Sequence, residues 1–445
     1  MSFARYPAYK DSGVPWVHKV PEHWEVQPLL AVMKERNEPN MGMRENNLLS
    51  LSYGRIVQKD IDSNDGLLPE SFETYQIVRP DDIVFRLTDL QNDKRSLRSA
   101  IVGQLGIITS AYVAGHPHGA LPAYIHYLFR SYDQSKVFYS MGGGLRQSMK
   151  FADLKRMPVL LPPRSEQTTI ATFLDRETAK IDALVAEQER LIALLKEKRQ
   201  AVISHAVTKG LDPSVPMKDS GVKWLGEVPA HWEVVRIKHV VASIEQGWSP
   251  QCESYPVESA DQWGVLKVGC VNGGVFNPDE NKVLPDDLTP VPALAIRAGD
   301  VLVSRANTRE LVGSAATALM DYPNLLLCDK LYRLRLNHKM DAPQYLAYFL
   351  GCLPVREQIE LAATGASSSM LNIGQATILE LRLPHPDVEE QLAITAHLDA
   401  VTARMRDTAT EAEAIIAALQ ERRSALISAT VTGQIDVRGA PEQAP

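Results

Sequence analysis

The segment Gly142-Gly143-Gly144-Leu145-Arg146-Gln147-Ser148 joins three glycines to an arginine, a glutamine and a serine, with Lys150 close behind. Glycine lets a backbone approach a ligand closely. Arginine and glutamine are the side chains that hydrogen-bond bidentately to guanine and adenine edges. The same composition also suits a plain flexible loop. In the second half of the chain, Thr364-Gly365-Ala366-Ser367-Ser368-Ser369 holds the corresponding position with different side chains. Ser52-Tyr53-Gly54-Arg55 and Ser304-Arg305-Ala306-Asn307 are further short polar segments of this kind. Lys94, Arg95 and Arg98 form one local basic cluster, and Arg305 and Arg309 another. Such clusters are what a phosphate backbone needs, and they are equally what a solvated face looks like.

Catalytic patterns are missing. There is no G-x-x-x-x-G-K-[ST], G-x-G-x-x-G or H-E-x-x-H, so P-loop, dinucleotide and zinc-protease chemistry have no anchor. Asn277-Pro278-Asp279-Glu280 lacks the second proline and the aromatic of an amino-methyltransferase. Pro278-Asp279-Glu280-Asn281-Lys282 resembles a nuclease PD…ExK only superficially. Its acid and its E-x-K are fused, which leaves no chain to place three metal-binding groups on paired strands. His23 and His231 each lie in a P-x-H-W turn and read as packed turn histidines. Cys252, Cys270, Cys328 and Cys352 form no C-x-x-C pair, which fits neither a zinc ribbon nor a disulfide framework.

The elements that would position such residues are duplicated. Lys10–Val26 (KDSGVPWVHKVPEHWEV) and Lys218–Val234 (KDSGVKWLGEVPAHWEV) agree at 12 of 17 positions. Glu166–Asp212 aligns without gaps on Glu390–Asp436 with 20 identities in 47. The order is tag, variable segment and long helix, then the same again. The segments Val26–Pro163 and Val234–Pro384 differ, apart from echoes such as Asp82-Ile83-Val84-Phe85 against Asp300-Val301-Leu302-Val303. Matched ends around divergent middles point to one scaffold bearing two recognition surfaces; neutral drift after duplication is the bland alternative.

A heptad runs through Gln167–His205: Leu174, Ile181, Leu195 and Val202 on one line, Leu184 and Leu191 on the other. The copy has Leu398, Met405, Leu419 and Leu426, with Val401 and Ile415 on its second line. A helix of about 40 residues is about 60 Å long, and two such stripes in one chain predict an antiparallel intramolecular coiled coil. The middles read as short strands with turns and short helices near Tyr124–Tyr132 and Gln344–Leu353. The expected fold class is α+β: two domains, each a twisted, mainly antiparallel sheet with short helices, joined by the long helices in a pseudo-two-fold arrangement.

Composition bounds the rest. The 445 residues leave room for about three domains. Lys plus Arg is 47 against 54 Asp plus Glu, a net charge of −7, so the chain is no small basic DNA-binding domain. A 45% hydrophobic content supports real cores and argues against wholesale disorder. With no apolar stretch near ~20 residues and no apolar leader at the start, the expected location is cytoplasmic, without membrane.

The duplicated KDSGV-x-W…P-x-HWEV tag, the LPP…EQ entry (Leu161-Pro162-Pro163, Glu166-Gln167; then Leu383-Pro384, Glu390-Gln391) and the I-S-x-x-V-T-x-x-[LI]-D exit together resemble the specificity subunit of Type I restriction–modification systems. The second entry departs from the pattern, reading LPHPDVEEQ. The resemblance implies a non-catalytic subunit of a host-defence complex. Residues 1–165 and 210–388 would be target recognition domains, each reading half of a bipartite asymmetric DNA site. Residues 166–209 and 389–433 would be spacer helices that set the separation and dock two methyltransferase subunits, and 434–445 a flexible tail. AdoMet, ATP and magnesium would sit on the partner methyltransferase and restriction/translocase subunits, with no cofactor in this chain. Candidate DNA contacts are Gly143, Arg146, Gln147, Ser148, Lys150, Ser52, Arg55, Lys94, Arg95, Arg305, Asn307, Arg309, Ser367, Ser368 and Ser369. A structural adaptor joining two protein-binding domains, without DNA, and a subunit of a methylation-only complex are the alternatives.

Overall fold

The computed structural model describes residues 4–61, 69, 71–88, 97–141, 148–259, 261–337, 342–367 and 370–439. The chain forms two compact units, Met1–Glu189 with Glu413–Pro445, and Arg190–Ala412. Each therefore owns one variable segment and one half of each long helix, Arg164–Lys209 and Val388–Val431.

In the first unit the tag folds as the hairpin Tyr9–Val14/Val17–Pro21. Its last strand, Glu25–Pro28, pairs with Pro158–Leu161, immediately before the long helix. The second unit repeats this with Met217–Asp219/Glu227–Pro229, then Glu233–Arg236 on Arg382–His385. Entry to and exit from each variable segment are thus tied in one ribbon, and this proximity explains why tag and helix entry match between the halves.

The variable segments share a core despite their divergence. The first holds an antiparallel sheet in the order Met33–Arg36, Val113–Pro117, Ile83–Phe85, Ser99–Ile101. The second holds Val241–Gln246, Leu331–Leu336, Val301–Ser304, Ala315–Thr317, with the same chain-order topology. The Asp82 and Asp300 echo falls on the third strand of each. Both carboxylates are buried and accept a bond from the backbone three residues back, Arg79 and Arg297. Each also takes an arginine fork, Arg36 on Asp82 and Arg335 on Asp300. The second unit adds a further four-stranded sheet around Gly264–Leu266 and Tyr322–Leu326.

The long helices run antiparallel. In the first unit Leu174 shares a core with Ile427 and Val431, and Arg423 forks Asp182 at 2.9 and 3.2 Å. In the second unit Ile203 and Val207 share a core with Ile394 and Leu398. The expected seam needs a correction on one of its lines. Leu174, Ile181, Leu195, Val202, Leu398, Met405, Leu419 and Leu426 are buried or half-buried, but Leu184 is 46% exposed, Leu191 37% and Ile415 47%. The second line runs one residue later, through Thr178, Val185, Ile192, Arg199 and Ala206, and in the copy Thr402, Ala409, Ile416, Arg423 and Thr430. Both phases satisfy a heptad. The rotation is set at the ends, where Thr178 and Ala206 are buried within the domain cores, and the exposed leucines yield to that anchoring.

The expected tail is also corrected in its first part. Asp436 donates its N–H to Ala4, the Tyr9 hydroxyl bonds the Gly433 carbonyl at 3.0 Å, Val437 is buried, and Arg438 lies over the Tyr6 ring. Gly433 has φ +72°, and a Cβ there would lie 2.3 Å from the Pro21 ring. Gly433→Ala should destabilise the chain by about 2 kcal/mol, because both the left-handed backbone and a rigid ring oppose it; urea unfolding measures this.

Candidate nucleic-acid interface

Each domain is seated on its helix by the duplicated residues. The Glu166 carboxylate accepts bonds from Trp24 Nε1 at 3.0 Å and from the Tyr6 hydroxyl, and pairs with His23 Nε2 at 2.8 Å. Glu390 accepts from Trp232 Nε1 at 2.9 Å and pairs with His231 Nε2 at 2.9 Å. The tag histidines are therefore turn residues bound to a carboxylate, as their P-x-H-W setting suggests. The neighbouring glutamines perform a second task. Gln167 accepts the Leu121 N–H and donates to Pro162 O. Gln391 accepts the Ala342 N–H and donates to Pro386 O. They satisfy the residue preceding the helices Pro122–Gln134 and Pro343–Gly351, where N–H groups lack intrahelical partners.

Those helices carry a repeat hidden in the sequence. Tyr124 and Tyr345 are buried and donate to Leu160 O and Pro384 O. Tyr127 bonds Asp175 and Thr178, as Tyr348 bonds Asp399 and Thr402. The signal was present as Pro122-Ala-Tyr124-Ile-His-Tyr127 against Pro343-Gln-Tyr345-Leu-Ala-Tyr348, but it is too short to stand out between divergent flanks.

Of the candidate contact residues, Gly143, Arg146, Gln147, Lys94, Arg95, Ser368 and Ser369 lie outside the described residues, as does the side chain of Ser367. The flanks of the first group meet: Thr88 and Ser148 form an antiparallel bridge, and Met149 donates its N–H to Leu87 O at 3.0 Å. Thr88, the last described residue before 89–96, and Ser148, the first after 142–147, thus meet just beyond the central strand Ile83–Phe85. The second unit repeats the placement, because Ala306–Asn307, following Val301–Ser304, pairs with Met370–Asn372, which pairs with Thr364–Ser367. Asn307 is half-buried, its side-chain Oδ1 accepting the Thr308 N–H. Arg305 donates to Asp329 O at 3.0 Å, while Arg309 and Lys150 are exposed. Arg98 is corrected: it is fully buried, donating to Thr88 O and Tyr139 Oη, so it serves the interior.

Ser52 and Arg55 flank a two-residue turn, Tyr53-Gly54, with φ +46° and +75°. The turn is held from behind by Arg130, whose guanidinium donates to Gly54 O. Burial lowers the Arg130 pKa to about 10. Burial raises that of nearby Asp133 to about 6, against bonds from the Arg98 and Ser99 N–H groups. Arg130 was not among the expected contacts; only its three-dimensional neighbours reveal it.

No family model matches the chain. The MjaVIII Type I restriction enzyme specificity subunit of Methanocaldococcus jannaschii is 23% identical over 450 residues, covering 97% of both chains. The EcoEI specificity subunit of Escherichia coli is 27% identical over 209 residues, 47% of this chain and 35% of its own. The EcoKI specificity subunit of Escherichia coli is 25% identical over 273 residues, 60% of this chain and 53% of its own. The matched stretches thus span only a third to a half of the two E. coli proteins and nearly all of the archaeal one.

The chain is thus similar to Type I restriction specificity subunits, to one of them along nearly its whole length. A chain from a solved structure on complex assembly and conformational transition of the type I R-M system has the same fold, with TM-score 0.61 at 20% identity over 94% of this chain and 100% of that one. Within the chain, the parts that repeat are the joints and the core strands. The parts that differ are the turns and loops beyond the central strands. Among the described residues no helix is long and apolar enough to cross a membrane, and no cluster of His, Cys, Asp or Glu is arranged to hold a metal.

Proposed function

We propose that this chain is a specificity subunit that reads duplex DNA for a Type I restriction–modification complex, one half of a bipartite asymmetric site for each recognition domain. The observation that carries the reading is the pairing of identical joints with divergent loops. Glu166/Glu390 each take the tag tryptophan, and Gln167/Gln391 and Tyr124/Tyr345 make matching bonds in both units, whereas the loops next to Thr88 and Asn307 share no sequence. Two equal mounts with unequal faces suit two different half-sites. The long helices set the separation of the halves and dock two methyltransferase subunits; exposed Leu184, Leu191 and Ile415 are apolar positions suited to such docking. Methyl transfer with AdoMet, and ATP-driven cleavage with magnesium, belong to the methyltransferase and restriction/translocase partners.

The test is the methylation motif of the assembled complex. Arg146→Ala and Gln147→Ala should each relax the preference at the first half-site by about 1–3 kcal/mol per lost bidentate contact and leave the second half-site intact. Sequencing of methylated DNA reads both halves at once. An unchanged motif would move base reading elsewhere, and an unsubstituted complex without any motif would favour the adaptor.

A further inference from the structure

Each unit holds one turn of two left-handed residues whose carbonyl is gripped by an arginine beside the long helices. In the first unit the turn is Tyr53-Gly54, gripped by Arg130; a Cβ on Gly54 would fall 1.8 Å from the Arg130 guanidinium. In the second it is Gly273-Gly274, both at φ +77°. There Arg199 Nη2 donates to Gly273 O at 2.8 Å, and a Cβ on Gly274 would meet Arg199 at 3.2 Å. The sequences are unrelated and the arginines come from different helices, so duplication did not copy the device.

The turn tips are open. Tyr53 is 77% exposed, although a left-handed backbone is costly for a bulky side chain and such outliers gather at functional sites. Asn272 and both glycines are exposed. Each turn also stands beside like charges in a chain whose net charge is −7. Arg130 has Asp133 as its counter-ion, while Arg423 and Arg55 both oppose its charge; the carboxylate those two share is Asp182, forked by Arg423 but 3.9 Å from Arg55. In the second unit Arg199 feels Arg406 and lines one cavity with Arg356; Glu310 lines that cavity and Asp399 the adjoining one. Guanidinium groups collected beside an exposed, rigid turn form a place for an anion.

We propose that these two arginine-held turns are sugar–phosphate contacts, which position the recognition domains on DNA without reading sequence. The inference rests on the DNA-reading function proposed above and assigns its sequence-independent part. Phosphate contacts fix register while base contacts specify. A device common to both units performs what is common to both half-sites, and the loops that differ perform the reading. Tyr53 Oη, the Arg55 guanidinium and the Asn272 amide are the donors.

The experiment uses the full complex with its methyltransferase subunits and two duplexes. One carries the motif found by sequencing methylated DNA; the other carries its scrambled version. Binding is measured across a salt series for Arg55→Ala and Asn272→Asp. Arg55 is 76% exposed, so its removal spares the fold, and thermal melting checks this. Arg55→Ala should weaken both duplexes equally, roughly five-fold at ~0.15 M salt, and lower the slope of log K against log salt by about 0.9. Asn272→Asp should weaken both equally as well. Loss confined to the motif-bearing duplex, or an unchanged salt slope for Arg55→Ala, would overturn the proposal. Unsubstituted complex that binds both duplexes alike, yet shows these losses, would keep the phosphate contacts and remove sequence reading.

Discussion

Glu166→Ala is expected to cost about 3–5 kcal/mol, and Glu390→Ala only about 1–2. The two positions are the same in the repeat, but their surroundings are not. Glu166 is 5% exposed and accepts from two buried donors, Trp24 Nε1 and the Tyr6 hydroxyl, besides pairing with His23. Its loss leaves both donors dry and unpaired, at about 1–3 kcal/mol each. Tyr6 is held down by the closing segment that carries Asp436 and Arg438, and water does not replace the carboxylate. Glu390 is 28% exposed, serves one buried donor, Trp232, and pairs with a half-exposed His231. Water reaches that joint when the carboxylate is gone. Urea unfolding of both variants, fitted with a common m-value, measures the difference; equal costs would mean that the Tyr6 bond adds nothing.

Ile192→Asp should destabilise the chain by about 3–4 kcal/mol, while the same change one residue earlier, Leu191→Asp, should stay within about 0.5 kcal/mol. Sequence pattern alone prefers the opposite order, because Leu191 lies on the leucine line. Ile192 is half-buried on the line shared with Val185 and Ala206, whereas Leu191 is 37% exposed. A carboxylate at 192 must either stay buried or break the helix pair; at 191 it enters water. Loss of the Leu191 side chain should instead appear as weaker binding of a methyltransferase subunit, read by sedimentation of the mixed complex. A large stability loss at 191 with none at 192 would restore the earlier phase of the seam.

The amino-acid sequence by itself determined the duplication, the two long helices and one line of their seam, because these are properties of local pattern. Heptads, tags and repeat offsets survive without knowledge of neighbours. It also pointed to Asp82 and Asp300, since a short β-strand after an acid keeps its hydrophobic run. Only the tertiary structure decided the second line of the seam. Leu184 and Val185 fit a heptad equally well, and the choice is made at the helix ends, where Thr178 and Ala206 enter the domain cores. It alone brought Glu166 to Trp24 and Tyr6, partners 142 and 160 residues away, and withdrew Arg98 into the interior. The arginine-held turns were illegible for the same reason. A carbonyl gripped by Arg130 from 76 residues away, or by Arg199 from 74, leaves no periodicity in the chain. Such bonds depend on where folding places two distant segments, and nothing local records that.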